Sequence, residues 1–218
     1  MSETDRERWN RKFRERGRAT HQPSSFILSL DPLLPQSGRA LDVGGGSGRH
    51  AIWLAQRGLD VTLADISNVG LELAREDAET AGVSLSLRAI DLEIEPLPEG
   101  PWDVIVDFHF LWRPLFPHFF RELAIGGMLA ICHQTRRNLE RHATPRLEYL
   151  LEDGELPGLL GELRIVSYDE RWHDEGRHEA RLLAIKPERR RGRRGSPATH
   201  AAQRTPHSPD VSGDRPLS

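Results

Sequence analysis

The sequence predicts an α/β domain with a doubly wound, mostly parallel sheet, and three observations carry that reading. Residues 39–50 pass from an apolar strand (Ala40, Leu41, Val43) through a glycine turn (Gly44, Gly46, Gly48) into residues at helical spacing (Ala51, Ile52, Leu54, Ala55). From there to Cys132, short apolar runs alternate with helix-period stretches, the pattern of successive βαβ units. Acidic residues stand at three successive strand ends, Asp42, Asp65 and Asp91. Open sheets of this kind bind ligands outside the carboxyl ends of their strands, so these acids and glycines mark a candidate site.

The glycine turn predicts a nucleotide-like ligand. Only a residue without Cβ takes the sharp turn and lets a ligand approach the backbone, and N–H groups opening the next helix can receive an anionic group. The glycines alone leave the ligand open, because Gly46, Gly48 and Ala51 also satisfy the weaker dinucleotide pattern G-x-G-x-x-G/A. Asp42 separates the two ligands. A pyrophosphate beside a charged Asp42 would cost about 4 kcal/mol per charge pair at ~4 Å and an effective dielectric of ~20. S-adenosylmethionine (SAM) has no phosphate, and its ammonium and sulfonium are cationic. The competing reading makes Asp42 a buried strand-end carboxylate that caps the next helix.

Gly58 reads as the C-cap of a helix over 49–57, and Val61, Leu63 and Ala64 form a second strand ending in Asp65. A carboxylate there can accept from both ribose hydroxyls, each bond being worth roughly 1.5–3 kcal/mol. Ser67 supplies the N-cap for residues 68–81, which leaves Asp65 for the ligand. Nicotinamide enzymes place an acid similarly, so Asp65 supports an adenosine ribose more firmly than it supports SAM. Residues 84–90 alternate Leu85, Leu87 and Ala89 with polar residues, a strand near a sheet edge that ends at Asp91. By itself Asp91 reads equally as a ligand contact and as a turn former.

Asp42-x-Gly44-x-Gly46-x-Gly48 resembles motif I of the class I SAM-dependent methyltransferases. Three flanking features are similar to the small bacterial group that includes the tellurite-resistance methyltransferases. They are Trp9-Asn10-Arg11-Lys12-Phe13, Asp91-Leu92-Glu93 with Pro96-Leu97-Pro98, and Leu111-Trp112-Arg113-Pro114-Leu115. The resemblance spans residues 9–186. It implies a seven-stranded Rossmann-like sheet with an antiparallel last strand, and SAM as cofactor with S-adenosylhomocysteine as product. It implies cofactor contacts from Asp42, Gly44, Gly46, Gly48, Asp65, Ile66 against adenine, Asp91 to the adenine amino group, the Leu92 N–H to a ring nitrogen, and Phe108. It also implies that residues 1–38 form a helical lid, with Trp9 and Phe13 near the methionine end. Relatives often carry Cys or Ala where this chain has Gly45, a departure expected to loosen the loop and keep the site.

Composition bounds the rest. A chain of 218 residues suffices for one domain with a single core, and the 37% hydrophobic share predicts a segment that does not pack. The expected division is 1–38 lid, 39–186 SAM-binding domain and 187–218 disordered tail. Net charge is −3, but residues 187–218 hold seven arginines against three acids, which leaves −7 on residues 1–186. An acidic body argues against nucleic acid as a partner. With two lysines against 28 arginines, the Arg189–Arg194 cluster reads as codon bias more than RNA binding. The single Cys132 excludes an internal disulfide and fits a reducing cytoplasm. No apolar signal segment opens the chain and no run reaches membrane-spanning length.

The remaining elements follow in order. Residues 3–17 predict an amphipathic helix with Trp9 and Phe13 at i, i+4, and residues 24–34 a short apolar helix closed by Pro32 and Pro35. Asp103 to Phe108 reads as a central strand, with His109 to Arg113 at its carboxyl end, where an acceptor should meet the methyl group. His109 is the candidate general base or a hydrogen-bonded strand-end His. Trp112 and Arg113 are candidate acceptor contacts, Arg113 either binding an anion or pairing with an acid. Residues 115–124 read as a helix, Met128 to Cys132 as a strand with a core thiol, and 133–146 as a polar loop whose His133, Arg136 and Arg137 could meet an oxyanion. A helix over 147–160 broken at Pro157-Gly158 comes next. Two antiparallel strands (163–168, 180–185) then flank a charged hairpin. His173, Asp174 and His178 match no metal-ligand spacing, and no metal is assigned.

Alignment of nucleophile and S–CH3 bond supplies roughly 7–11 kcal/mol of barrier reduction, against roughly 10²–10⁴-fold from a base. The predicted activity is methyl transfer from SAM to a small, soft or anionic acceptor. The alternatives are an NAD(P)-dependent oxidoreductase and a catalytically silent SAM-fold binding module. The sequence fixes neither the acceptor nor the oligomeric state.

Overall fold

Seven strands form one sheet in the order β3-β2-β1-β4-β5-β7-β6. The strands are β1 (Arg39–Val43), β2 (Asp60–Asp65), β3 (Ser86–Ala89), β4 (Trp102–Phe108), β5 (Leu123–Gln134), β6 (Arg164–Trp172) and β7 (His178–Ile185). This architecture comes from a computed structural model, which describes residues 3–17 and 22–188. Strands β1 to β5 pair in parallel, whereas β7 runs antiparallel to both β5 and β6. The predicted doubly wound, mostly parallel sheet with an antiparallel end is therefore the fold.

The strand positions follow from burial. In β4, Val104, Ile105 and Val106 are fully buried, as an apolar run with both faces covered must be. β3 is largely exposed and takes the edge. One face packs on helices α2 (Ser25–Ser29), α3 (Arg49–Gln56) and α4 (Asn68–Thr80), through Ile27, Leu54, Leu71 and Ala74 against Val61, Leu63 and Val106. The other packs on α5 (Phe116–Glu122), through Phe116 and Phe119 against Leu41, Ile105 and Ile131. Each fully buried large apolar side chain contributes roughly 1.5–3 kcal/mol. The helix α1 (Glu3–Arg16) lies where the amphipathic N-terminal helix was expected.

Several local readings need correction. His133 is not in a loop: β5 runs on to Gln134, and His133 is buried against Phe116. No helix spans 147–160. Two 3-10 turns, Leu147–Tyr149 and Leu156–Leu159, stand there, because a bridge from Thr135 to Leu151 and the Pro157-Gly158 pair leave no room for continuous helix. The charged hairpin is shorter than expected, since strand pairing extends to Trp172 opposite His178. The expected disordered tail lies, from Arg189 on, outside the described residues.

Candidate cofactor and acceptor site

The loop between β1 and α3 needs its glycines individually. Gly44, Gly46 and Gly48 have φ of +61°, +59° and +78°, the left-handed region that L side chains avoid. A Cβ on Gly44 would meet Phe110 Cβ at 2.5 Å, and one on Gly48 would meet Ala74 Cβ at 2.9 Å. Gly45 has no such φ, yet its Cβ would lie 2.2 Å from Leu63 Cδ1 and 2.5 Å from Asp42 Oδ2. Leu63 and Asp42 thus fill the volume that a larger residue would take, and the loop is packed from beneath, not loosened.

The strand-end acids differ from one another. Asp65 is 8% exposed; its Oδ2 accepts from Gly46 N (2.8 Å) and its Oδ1 from Ser67 N (2.7 Å). A carboxylate offers about four acceptor positions; with Gly46, Ser67 and the neighbouring Ile66 N–H engaging Asp65, at least one remains for a ligand. Asp42 lies inward under the loop, where Oδ2 accepts from Ala51 N at 3.1 Å in the first turn of α3. This is the capping role that competed with ligand binding. Burial pushes the Asp42 pKa up to about 8, opposed by the Ala51 bond. Asp42 is therefore mostly uncharged at pH 7, and the electrostatic exclusion of a pyrophosphate by this residue does not hold. Asp91 shows its turn-forming role, with Oδ1 accepting from Glu93 N at 3.1 Å. Ile66 and Leu92, each next in sequence to one of these acids, are buried, as is Phe108, whose ring lies 4.4 Å from that of His50.

Helix α1 crosses this loop. Phe13 sits over Gly46 and Gly70, where added Cβ atoms would each come within 2.9 Å of its ring. Trp9 stacks at 6.2 Å from Phe13 and beneath the Lys12 ammonium at 3.8 Å. Arg8 reaches Tyr149 Oη at 3.4 Å.

On the acceptor side, His109 holds φ +68° and donates its backbone N–H to Cys132 O at 2.9 Å. Its ring keeps 29% exposure, 3.8 Å from Glu179 Oε1. Desolvation lowers its pKa to about 4, and Glu179 opposes that shift only partly. His109 is neutral at pH 7. Cys132 Sγ donates to Glu179 Oε2 at 3.3 Å, and burial, then the Glu179 charge, push the thiol well above its usual range. It is a core thiol, as expected. Arg181 donates to Glu179 Oε2 from Nε (3.1 Å) and Nη2 (2.9 Å). His109, Cys132 and Glu179 bring possible metal ligands within 4.8 Å of one another, but the guanidiniums around them weigh against a cation.

Arg113 does not face an acceptor. Its guanidinium pairs with Glu155 (Nη2 to Oε2, 2.7 Å) and donates to Leu150 O at 3.0 Å, fastening the two 3-10 turns to the loop after β4. Trp112 packs half-buried against the core. Sequence reasoning missed other residues. The side chains of Arg49, directly after Gly48, and Arg177, in the β6–β7 turn, make no hydrogen bond or ion pair among the described residues. They lie close enough that Arg177, after desolvation, is the largest influence lowering the Arg49 pKa. Arg49 had a local signal in its place after motif I, whereas Glu179 and Arg177 reach the site only through strand pairing.

A family model described as "Methyltransferase domain" matches residues 40–125. Over those residues the chain is similar to methyltransferase domains. It is 33% identical over 122 residues to the tRNA 5-carboxymethoxyuridine methyltransferase of Escherichia coli (strain K12), covering 52% of this chain and 46% of that protein. The chain spans about half the length of the curated relatives it matches. TehB from Haemophilus influenzae superposes with a TM-score of 0.63 at 20% identity, over 82% of this chain and 67% of that one. Magnesium protoporphyrin IX methyltransferase from Synechocystis PCC 6803, solved with bound SAH, gives 0.61 at 18% identity, over 84% and 94%. The residues here fit an S-adenosyl ligand of the kind bound in that structure: left-handed glycines open the loop, and Asp65 keeps an acceptor position. No helix among the described residues is long and apolar enough to cross a membrane.

Proposed function

We propose that this protein transfers a methyl group from SAM to a small anionic acceptor in a reducing compartment, where Cys132 stays free. One observation carries the acceptor class. Two guanidiniums that make no side-chain hydrogen bond or ion pair among the described residues, Arg49 and Arg177, lie close enough to His109 at the end of β4 to depress its pKa. An acceptor carboxylate or oxyanion would satisfy both, each charge-assisted bond contributing roughly 1.5–3 kcal/mol. The Escherichia coli relative is named for a carboxymethoxyuridine, an acceptor that bears a carboxylate, which supports this class. The net −7 on residues 1–186 disfavours a whole tRNA in this case.

In this reading Asp65 takes the ribose hydroxyls, Asp91 and the Leu92 N–H take adenine, and Gly44, Gly46 and Gly48 pass the methionine chain along the backbone. SAM supplies the electrophilic methyl group. Phe108, Trp9, Phe13 and Trp112 exclude water, and His109 orients the nucleophile and accepts a proton where the acceptor carries one. An acceptor that is already ionised scarcely needs that base.

Calorimetry with SAM, S-adenosylhomocysteine and NADH tests the donor, and labelled methyl transfer to carboxylates, selenite, tellurite, thiols, amines and RNA tests the acceptor. Arg49→Ala and Arg177→Ala should each raise acceptor KM about 10–100-fold with SAM affinity within threefold. A neutral preferred acceptor, or unchanged KM in both variants, overturns the acceptor class. No methylated product from any acceptor overturns the activity.

A further inference from the structure

Asn10 belongs to α1 but works at the first turn of α4, 57 residues away in sequence. Its Oδ1 accepts from Ser67 Oγ at 2.7 Å and from Val69 N at 3.3 Å. Ser67 is the N-cap of α4, and its Oγ accepts from Gly70 N at 3.0 Å. The first N–H groups of a helix have no partner within it, so Asn10 supplies from outside a cap that the local sequence leaves unmade.

These bonds close a ring around the cofactor loop. Ser67 N donates to Asp65 Oδ1, Asp65 Oδ2 accepts from Gly46 N, and Phe13, one turn after Asn10 on α1, lies on Gly46. Apart from Phe13 packed on Gly46 and Gly70, helix α1 has few ties to the body among the described residues. It is polar nearly all round, and a helix of 14 residues with that composition is marginal alone in water. Among the described residues its other side-chain hydrogen bond to the body is Arg8 to Tyr149, long at 3.4 Å.

We infer that Asn10 is a positioning residue that latches α1 over the glycine loop and sets how fast the cofactor enters and leaves. The latch acts through Ser67 and the α4 cap and does not touch the ligand. A gate of this kind changes both rates and spares affinity, whereas a ligand contact changes affinity through dissociation. The inference rests on the cofactor site and is independent of which acceptor is methylated.

Stopped-flow binding of S-adenosylhomocysteine, followed by intrinsic tryptophan fluorescence, tests it in the full chain. Asn10→Ala should raise association and dissociation rates together, each about 5–20-fold, with Kd within threefold. Asn10→Asp keeps an oxygen acceptor at the positive end of α4 and should restore both rates to near wild type. Unchanged rates in Asn10→Ala overturn the latch, as does a weakened Kd with an unchanged association rate. Failure of the wild type to bind S-adenosylhomocysteine would instead overturn the cofactor site itself. Thermal unfolding without ligand should move by under about 2 °C in Asn10→Ala; a larger loss would mean that the cap serves global stability, and it too overturns the inference.

Discussion

Asp42 shows how one buried side chain redirects an electrostatic expectation. Its folded pKa, about 8, stands above the unfolded carboxylate value near 3.8. Between those values the unfolded chain has released a proton that the folded chain keeps, so stability declines as pH rises from ~4 to ~8. Asp42→Asn keeps an oxygen for the Ala51 N–H and has no ionisation to suppress. Chemical denaturation at pH 8 should find it more stable than wild type by roughly 1–3 kcal/mol, and an unstable variant would show that Asp42 is charged. His109 has the opposite linkage. Its folded pKa of about 4 lies below the unfolded 6.5, so stability is full above 6.5 and is lost as pH falls toward 4. His109→Gln should flatten that acid slope in thermal melts taken between pH 4 and 7. Gly45→Ala should cost about 1–3 kcal/mol by collision with Leu63, and Leu63→Val in the same chain should return part of it.

At the scale of elements, the loop after β4 is held by a partner far down the chain. Arg113 joins Glu155 across 42 residues, with 38% and 18% side-chain exposure. A partly exposed pair of this kind is worth roughly 1 kcal/mol. Arg113→Ala should therefore lower stability by about that amount and leave acceptor KM within twofold. A tenfold rise in KM with normal stability would return Arg113 to the acceptor site. Strand β5 extends further than its apolar core suggests, because β7 offers a partner as far as Gln134 opposite Glu179. That extension buries His133 beside Asp107, 3.4 Å apart, a pair that no local pattern announces.

For the whole molecule, the candidate site joins parts that only the sheet order brings together: β1, β2 and β3 carry the residues proposed for the cofactor, and β4, β5 and β7 those proposed for the acceptor. A ligand that binds only the folded chain stabilises it by RT ln(1 + [L]/Kd), about 2.7 kcal/mol at a hundredfold excess over Kd. S-adenosylhomocysteine at that level should raise the melting temperature by roughly 5–10 °C, and NADH should leave it unchanged. A shift with NADH alone would restore the nicotinamide reading.

The sequence by itself determined the parallel sheet, the glycine loop and its acids, the Ser67 cap and the final antiparallel pair. Each of these depends on residues a few positions apart: glycines where φ must be positive, apolar residues at period two or 3.6, a hydroxyl just before a helix. Only the tertiary structure decided that Asp42 is buried and uncharged, that Arg113 is spoken for by Glu155, that Arg177 lies near enough to act on Arg49, and that Asn10 caps a helix other than its own. Burial and long-range pairing depend on which distant segments share a face, and no periodicity within one segment records its neighbour.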